Sequence, residues 1–293
     1  MVELQKNEGV LLINLGSPKE LSKKSVRQYL RVFLSDDNVV DLPKFFQQFI
    51  LRLFILPFRP KNTLEAYEKI WTKEGSPLII STESIANKLT EKTGWNVEYA
   101  MRYEEPSIEK ALHKFKENEI NKIYVISLYP HNAMATTVTT ELETRNVAMN
   151  ISNDFELIFT KPFFDNEEYI NAMVNSIRPY VENKSYDKII FSYHGIPKRQ
   201  AKKTDETGEH CFSTSNCCDA LRFLCRVAGA KVNAPIPRVP VYFSRCSGDM
   251  SFGDLPCEAT HALITALPKS SGRESAIIPG NPLKAAKSAS GKV

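Results

Sequence analysis

Four thiols fall within fifteen residues: Cys211, Cys217, Cys218 and Cys225. The two other cysteines, Cys246 and Cys257, lie further on and are assigned no role. In a chain with no export signal, clustered thiols point to metal ligation rather than disulfides. Four thiolates can hold zinc, although zinc usually takes two separated short pairs, and the cluster can also bind no metal at all. Upstream, His194 ends the apolar run Ile189-Ile190-Phe191-Ser192-Tyr193. An imidazole there can be a base near neutral pH or a metal ligand, or can simply cap a turn. Arg102 and Tyr103 follow the run Val97 to Met101, and Tyr129 follows Ile123 to Leu128. The plain alternatives are a surface ion pair for Arg102 and core aromatics for the tyrosines. His113 belongs to a solvated helix face, and His210 and His261 stand in no interpretable motif.

These candidates need elements to hold them. Val10 to Leu15, Val97 to Met101, Ile123 to Leu128 and Ile189 to Tyr193 are short, β-branched apolar runs and predict buried strands. Lys23 to Leu34, Ser81 to Thr93, Ser107 to Glu117 and Glu167 to Val181 have apolar residues at helical spacing. Such alternation predicts a parallel sheet covered on both faces, with ligands at the carboxyl ends of its strands. Neither G-x-G-x-x-G nor a Walker loop occurs, which argues against a dinucleotide or nucleoside triphosphate. The 293 residues suffice for two lobes of about 150 residues each. Basic and acidic residues, 38 against 34, are interspersed along most of the chain, which argues against nucleic acid and for a small molecule. The start of the chain carries acids where a signal peptide wants bases, and no apolar run is long enough to span a membrane, so a cytoplasmic protein is expected.

The motifs then meet a family. GVLLINLGSP (9–18), FLSD (33–36), YEKIWTKEGSPL (67–78), AMRY (100–103), LYPHNAMATT (128–137) and FSYHGIP (191–197) stand in the order of, and resemble, segments of ferrochelatase, which inserts ferrous iron into a porphyrin. The resemblance covers about residues 9–225. It implies an α/β fold of two similar Rossmann-like lobes with parallel sheets, holding the porphyrin between them. The corresponding boundaries are 1–160 for the first lobe, 161–225 for the start of the second, and 226–293 for an anomalous tail. It places His194 at the active-site histidine, as catalytic base and iron ligand, and Arg102, Tyr103, Ser76 and Tyr129 on the porphyrin wall. Asn132, after His131, stands where an aromatic is usual. The substrates implied are protoporphyrin IX and Fe²⁺. The cysteine spacing is similar to that of family members carrying a 2Fe-2S cluster, which assigns Cys211, Cys217, Cys218 and Cys225 as its ligands.

Phe45 to Phe58 is more apolar than a surface helix should be and reads either as a buried core helix or, by the resemblance, as a hydrophobic lip for peripheral contact at the inner face of a membrane. From Arg226 the composition changes: nine bases face four acids, and seven prolines interrupt any helical period. Tyr242-Phe243-Ser244-Arg245 echoes a Q-S-R-like family motif, but nothing matches the later acidic motif whose glutamate faces the histidine, and neither Glu258 nor Glu274 has suitable neighbours. The second lobe is therefore expected to be altered after residue 225. A porphyrin- or iron-sulfur-binding protein without turnover, or a chelatase for another tetrapyrrole, are the alternative functions.

Overall fold

The computed structural model describes residues 4–182, 186–194, 197–203, 241–246, 263–268 and 276–278, with side chains through 182 and at Pro197, Arg199, Gln200, Lys202 and Lys203. The chain divides into two compact units, Met1–Lys161 and Pro162–Val293. In the first, β1 (Glu8–Gly16) leads to α1 (Lys23–Leu34), α2 (Lys44–Ile50), a π-helical turn at Leu51–Ile55, and α3 (Leu56–Glu68). Then come α4 (Pro77–Thr93), β2 (Asn96–Tyr103), α5 (Ile108–Glu117) and β3 (Lys122–Ser127). A second π-helical turn, Met134–Val138, runs into α6 (Thr139–Ile151), and β4 (Glu156–Phe159) closes the unit.

The four strands form one parallel sheet in the order β2-β1-β3-β4. β1 is central because Val10-Leu11-Leu12-Ile13 is apolar on both faces. Successive side chains point to opposite sides: Leu11 and Ile13 join Leu112, Phe115 and Ala148 of α5 and α6, whereas Val10 and Leu12 join Ala86 and Leu89 of α4. Local signals set the helix ends. Ser22 Oγ accepts from the Ser25 N–H at 3.1 Å before α1, and Ser107 Oγ accepts from the Lys110 N–H at 3.3 Å before α5. α4 starts at Pro77 rather than at the expected Ser81, because proline suits the first turn, whose N–H groups lack intrahelical partners.

The second unit contains α7 (Glu167–Val181), β5 (Tyr186–His194), α8 (Lys198–Lys203), β6 (Val241–Cys246), β7 (Leu263–Pro268) and β8 (Ala276–Ile278). Its sheet has the order β6-β5-β7-β8; β5 and β6 run parallel, but β7 is antiparallel to both β5 and β8. The expected all-parallel sheet thus holds in the first unit and not in the second. Both antiparallel partners come from the tail. Only residues 269–275 join β7 to β8, too few for the crossover of about a dozen residues that parallel neighbours require.

Candidate functional site

In the first sheet the strand order reverses at β1, which has β2 on one side and β3 on the other. Ligands of such sheets bind outside the carboxyl ends of the strands at this reversal. Gly16-Ser17 ends β1 and continues into the following turn, Arg102-Tyr103 ends β2, and Tyr129 follows β3.

A carboxylate ties these ends together. Asp36, in the turn after α1, is nearly buried, its side chain 7% exposed. Its Oδ2 accepts from Arg102 Nη2 at 2.7 Å, from the Tyr103 hydroxyl at 2.8 Å and from the Thr139 hydroxyl at the start of α6. Its Oδ1 accepts from the Asn38 N–H at 2.7 Å. Arg102 Nε donates to the Thr139 hydroxyl at 2.9 Å and to its carbonyl at 3.2 Å, and the guanidinium lies 4.5 Å over the Tyr103 ring. Burial alone would raise the Asp36 pKa, but the Thr139, Asn38 and Tyr103 hydrogen bonds and the Arg102 charge bring it below the ordinary carboxylate value. Asp36 therefore stays ionised at neutral pH and offsets the charge of Arg102.

Phenols surround this pair. Burial pushes the Tyr29 hydroxyl well up, reinforced by nearby Tyr67, Tyr129 and Tyr103. Tyr103 and the fully buried Tyr129, beside Thr140, are also raised by desolvation. All remain neutral at physiological pH, so the wall is a set of aromatic faces and hydroxyls around one neutralised ion pair. Arg102 Nη1 makes no hydrogen bond among the described residues, and its side chain is 13% exposed. The partly exposed Arg102 can offer a directed donor to a carboxylate.

Of the residues singled out by sequence, Arg102, Tyr103 and Tyr129 come together here; the Arg102 charge reaches the Tyr129 hydroxyl. Ser76 is buried at the start of α4, and its side chain does not cap that helix. His131 follows Tyr129, and its carbonyl accepts from the Thr137 hydroxyl at 2.9 Å; Asn132 is exposed. His194 is the last residue of β5, in register with Cys246 of β6, and its side chain lies outside the described residues. Cys211, Cys217, Cys218 and Cys225 lie outside them entirely, as do Cys257, Glu258 and Glu274. Sequence reasoning missed Asp36 and Thr139 as site residues. The signal for Asp36 was in view in FLSD, an acid directly after an apolar helix face, whereas Thr139 carries none.

The segment Phe45 to Phe58 is not a buried core helix. Phe45, Phe54 and Phe58 are 76%, 59% and 72% exposed, with Phe46, Phe49 and Leu53 also outward. Inward are Leu51 and Leu56, against Val26, Leu30 and Leu34 of α1, and Gln47, whose amide donates to the carbonyls of Asp36 and Val40. Lys44, Arg52, Arg59 and Lys61 are exposed along the same stretch. Among the described residues, no helix is long and apolar enough to cross a membrane.

Comparison with known proteins accounts for this arrangement. The chain is 39% identical to a ferrochelatase of Pseudomonas fluorescens (strain SBW25) over 213 residues, which are 72% of this chain and 62% of that protein. It is 40% identical to a ferrochelatase of Coxiella burnetii (strain Dugway 5J108-111) over 212 residues, 71% of this chain and 58% of the relative. A ferrochelatase of Stutzerimonas stutzeri (strain A1501) gives 38% over 214 residues. The chain thus spans about three fifths of the length of the curated relatives it matches. The family model described as Ferrochelatase matches residues 7–243 and so extends past the compositional change at Arg226 into β6. With that match over most of its length, the chain belongs to the ferrochelatase family.

Proposed function

We propose that this chain inserts Fe²⁺ into protoporphyrin IX, replacing two pyrrole N–H protons and releasing both. The observation that carries the proposal is the family match across residues 7–243. Arg102, Tyr103, Tyr129 and Ser76 line the porphyrin, with the tyrosines against the ring and Arg102 meeting a propionate. His194, at the end of β5, takes a pyrrole proton and offers a nitrogen ligand to ferrous iron. Metallation also needs the macrocycle bent so that nitrogen lone pairs face the metal, and contacts remote from the nitrogens offset that strain.

Cys211, Cys217, Cys218 and Cys225 hold a 2Fe-2S cluster in this reading, supported by the four-thiolate set and its spacing. One preparation tests both claims. Protein purified and assayed anaerobically with Fe²⁺ and protoporphyrin should be brown, contain iron and sulfide, and develop the haem spectrum. Tight porphyrin binding without haem would leave the non-catalytic alternative. Colourless or zinc-containing protein would remove the cluster.

The outward face of α2 and α3 serves as a peripheral membrane contact. Seven exposed large apolar side chains between Phe45 and Phe58, flanked by exposed lysines and arginines, suit an anionic bilayer surface. Flotation with phosphatidylglycerol-containing vesicles should fall about tenfold in a Phe54→Asp/Phe58→Asp variant, because two deeply inserting aromatics are replaced by like-charged groups. Equal flotation of the two proteins would exclude this role.

A further inference from the structure

Asp36 is a carboxylate held nearly buried beside Arg102. A buried carboxylate at the end of α1 costs desolvation, and an apolar residue there could extend the Val26, Leu30 and Leu34 cluster. Both its oxygens are instead engaged: Oδ2 takes Arg102, Tyr103 and Thr139, and Oδ1 takes the Asn38 N–H. The turn that carries it is itself braced, because its carbonyl accepts from the Val39 and Val40 N–H groups and from the Gln47 amide. Oδ2 is thus saturated by three donors from the first unit, and what Asp36 controls is its neighbours.

The neighbour that matters is Arg102. Asp36 holds Nη2 and Thr139 holds Nε, so two of the three guanidinium nitrogens are engaged before any ligand arrives. Nη1 is the nitrogen left over. An unclamped arginine would lose side-chain freedom on meeting a carboxylate, and an unneutralised one could not rest in so dry a position.

We propose that Asp36 is a positioning residue for carboxylate recognition, clamping Arg102 so that Nη1 alone is presented to a propionate of the substrate. The proposal rests on the porphyrin reading above and deepens it. Arg102 then discriminates by geometry more than by charge, since its charge is already offset by Asp36.

The test compares binding of protoporphyrin and of its dimethyl ester, followed by quenching of Trp71 and Trp95 fluorescence in the full chain. The unaltered protein should prefer the free acid. Asp36→Asn should reduce that preference about tenfold while ester affinity stays within about twofold, the size expected for one charge-assisted contact. In an Arg102→Gln background the same substitution should change the preference no further. Thr139→Val, which keeps the backbone carbonyl and Asp36, should lower the preference by about threefold and serves as the test if Asp36→Asn does not fold. Equal weakening of acid and ester would mark Asp36 as merely structural and overturn the proposal, as would an unchanged preference in either variant. An unaltered chain that binds neither porphyrin would instead sink the porphyrin reading, and this inference with it.

Discussion

Replacing His194 by alanine should abolish haem formation, lowering the metallation rate by at least about a hundredfold, while porphyrin affinity stays within about twofold. The two effects separate because they draw on different atoms. In the proposed reading the macrocycle is held mainly by residues of the first unit, where Arg102 and Tyr103 are fixed by Asp36 and Thr139. The chemical step needs a group that takes a proton at neutral pH and tolerates ferrous iron; imidazole does both, and its neutral form is well populated there. Alanine leaves the carboxyl end of β5 without base or ligand. The check is anaerobic haem formation, measured beside porphyrin fluorescence quenching on the same preparation. Retained metallation would remove His194 from the mechanism, and loss of binding in step with activity would make its role structural.

The second large effect is on the fold. Gly16 ends β1 with φ +105, and a Cβ built there would lie 2.0 Å from the Tyr103 carbonyl oxygen and 3.0 Å from its carbon. Real Cβ atoms do not approach backbone so closely, so alanine must part the end of β1 from β2, where Gly16 and Tyr103 are register partners. The same movement pulls Tyr103 and Arg102 from Asp36. Gly16→Ala should therefore cost about 3 kcal/mol or more of stability in urea unfolding, the range of severe backbone clash and broken buried networks. Gly94→Ala is the matched control: φ is +71, but nothing lies within 4 Å of the added methyl, so only the left-handed strain of about 1 kcal/mol applies. A Gly16→Ala protein as stable as Gly94→Ala would contradict the close approach of the two strand ends. The Gly-Ser-Pro segment thus has a physical role: the absent side chain of Gly16 lets the ends of β1 and β2 meet.

Much of the first unit was legible because its signals are local. β1, β2 and β3 are β-branched apolar runs, and α1 and α5 begin at serines that cap them. α6 was not legible, because Thr139 to Ile151 is largely polar and its buried face is made of Thr139, Thr140, Thr144 and Ala148, which no hydrophobic period reveals. β4 was missed because four residues are too few to show an alternation. In the second unit the helix Glu167 to Val181 and the strand ending at His194 were expected, whereas the antiparallel β7 and β8 were not, since chain direction depends on connections rather than on residue pattern.

By itself the sequence determined the β/α alternation, the placing of Arg102, Tyr103, Tyr129 and His194 at strand ends, and the family, because each is carried by residues adjacent along the chain. Only the tertiary structure decided which way Phe45 to Phe58 faces: the apolar excess was plain, but Gln47, Leu51 and Leu56 are what pack inward. It also decided that Arg102 is neither a surface ion-pair residue nor a free cation. Its partner Asp36 lies 66 positions away, and Thr139, which completes the clamp, is 103 positions from Asp36. Periodicity encodes which side of an element is buried, but the partner that neutralises a buried charge is set by how distant elements meet, here the turn after α1, the end of β2 and the start of α6.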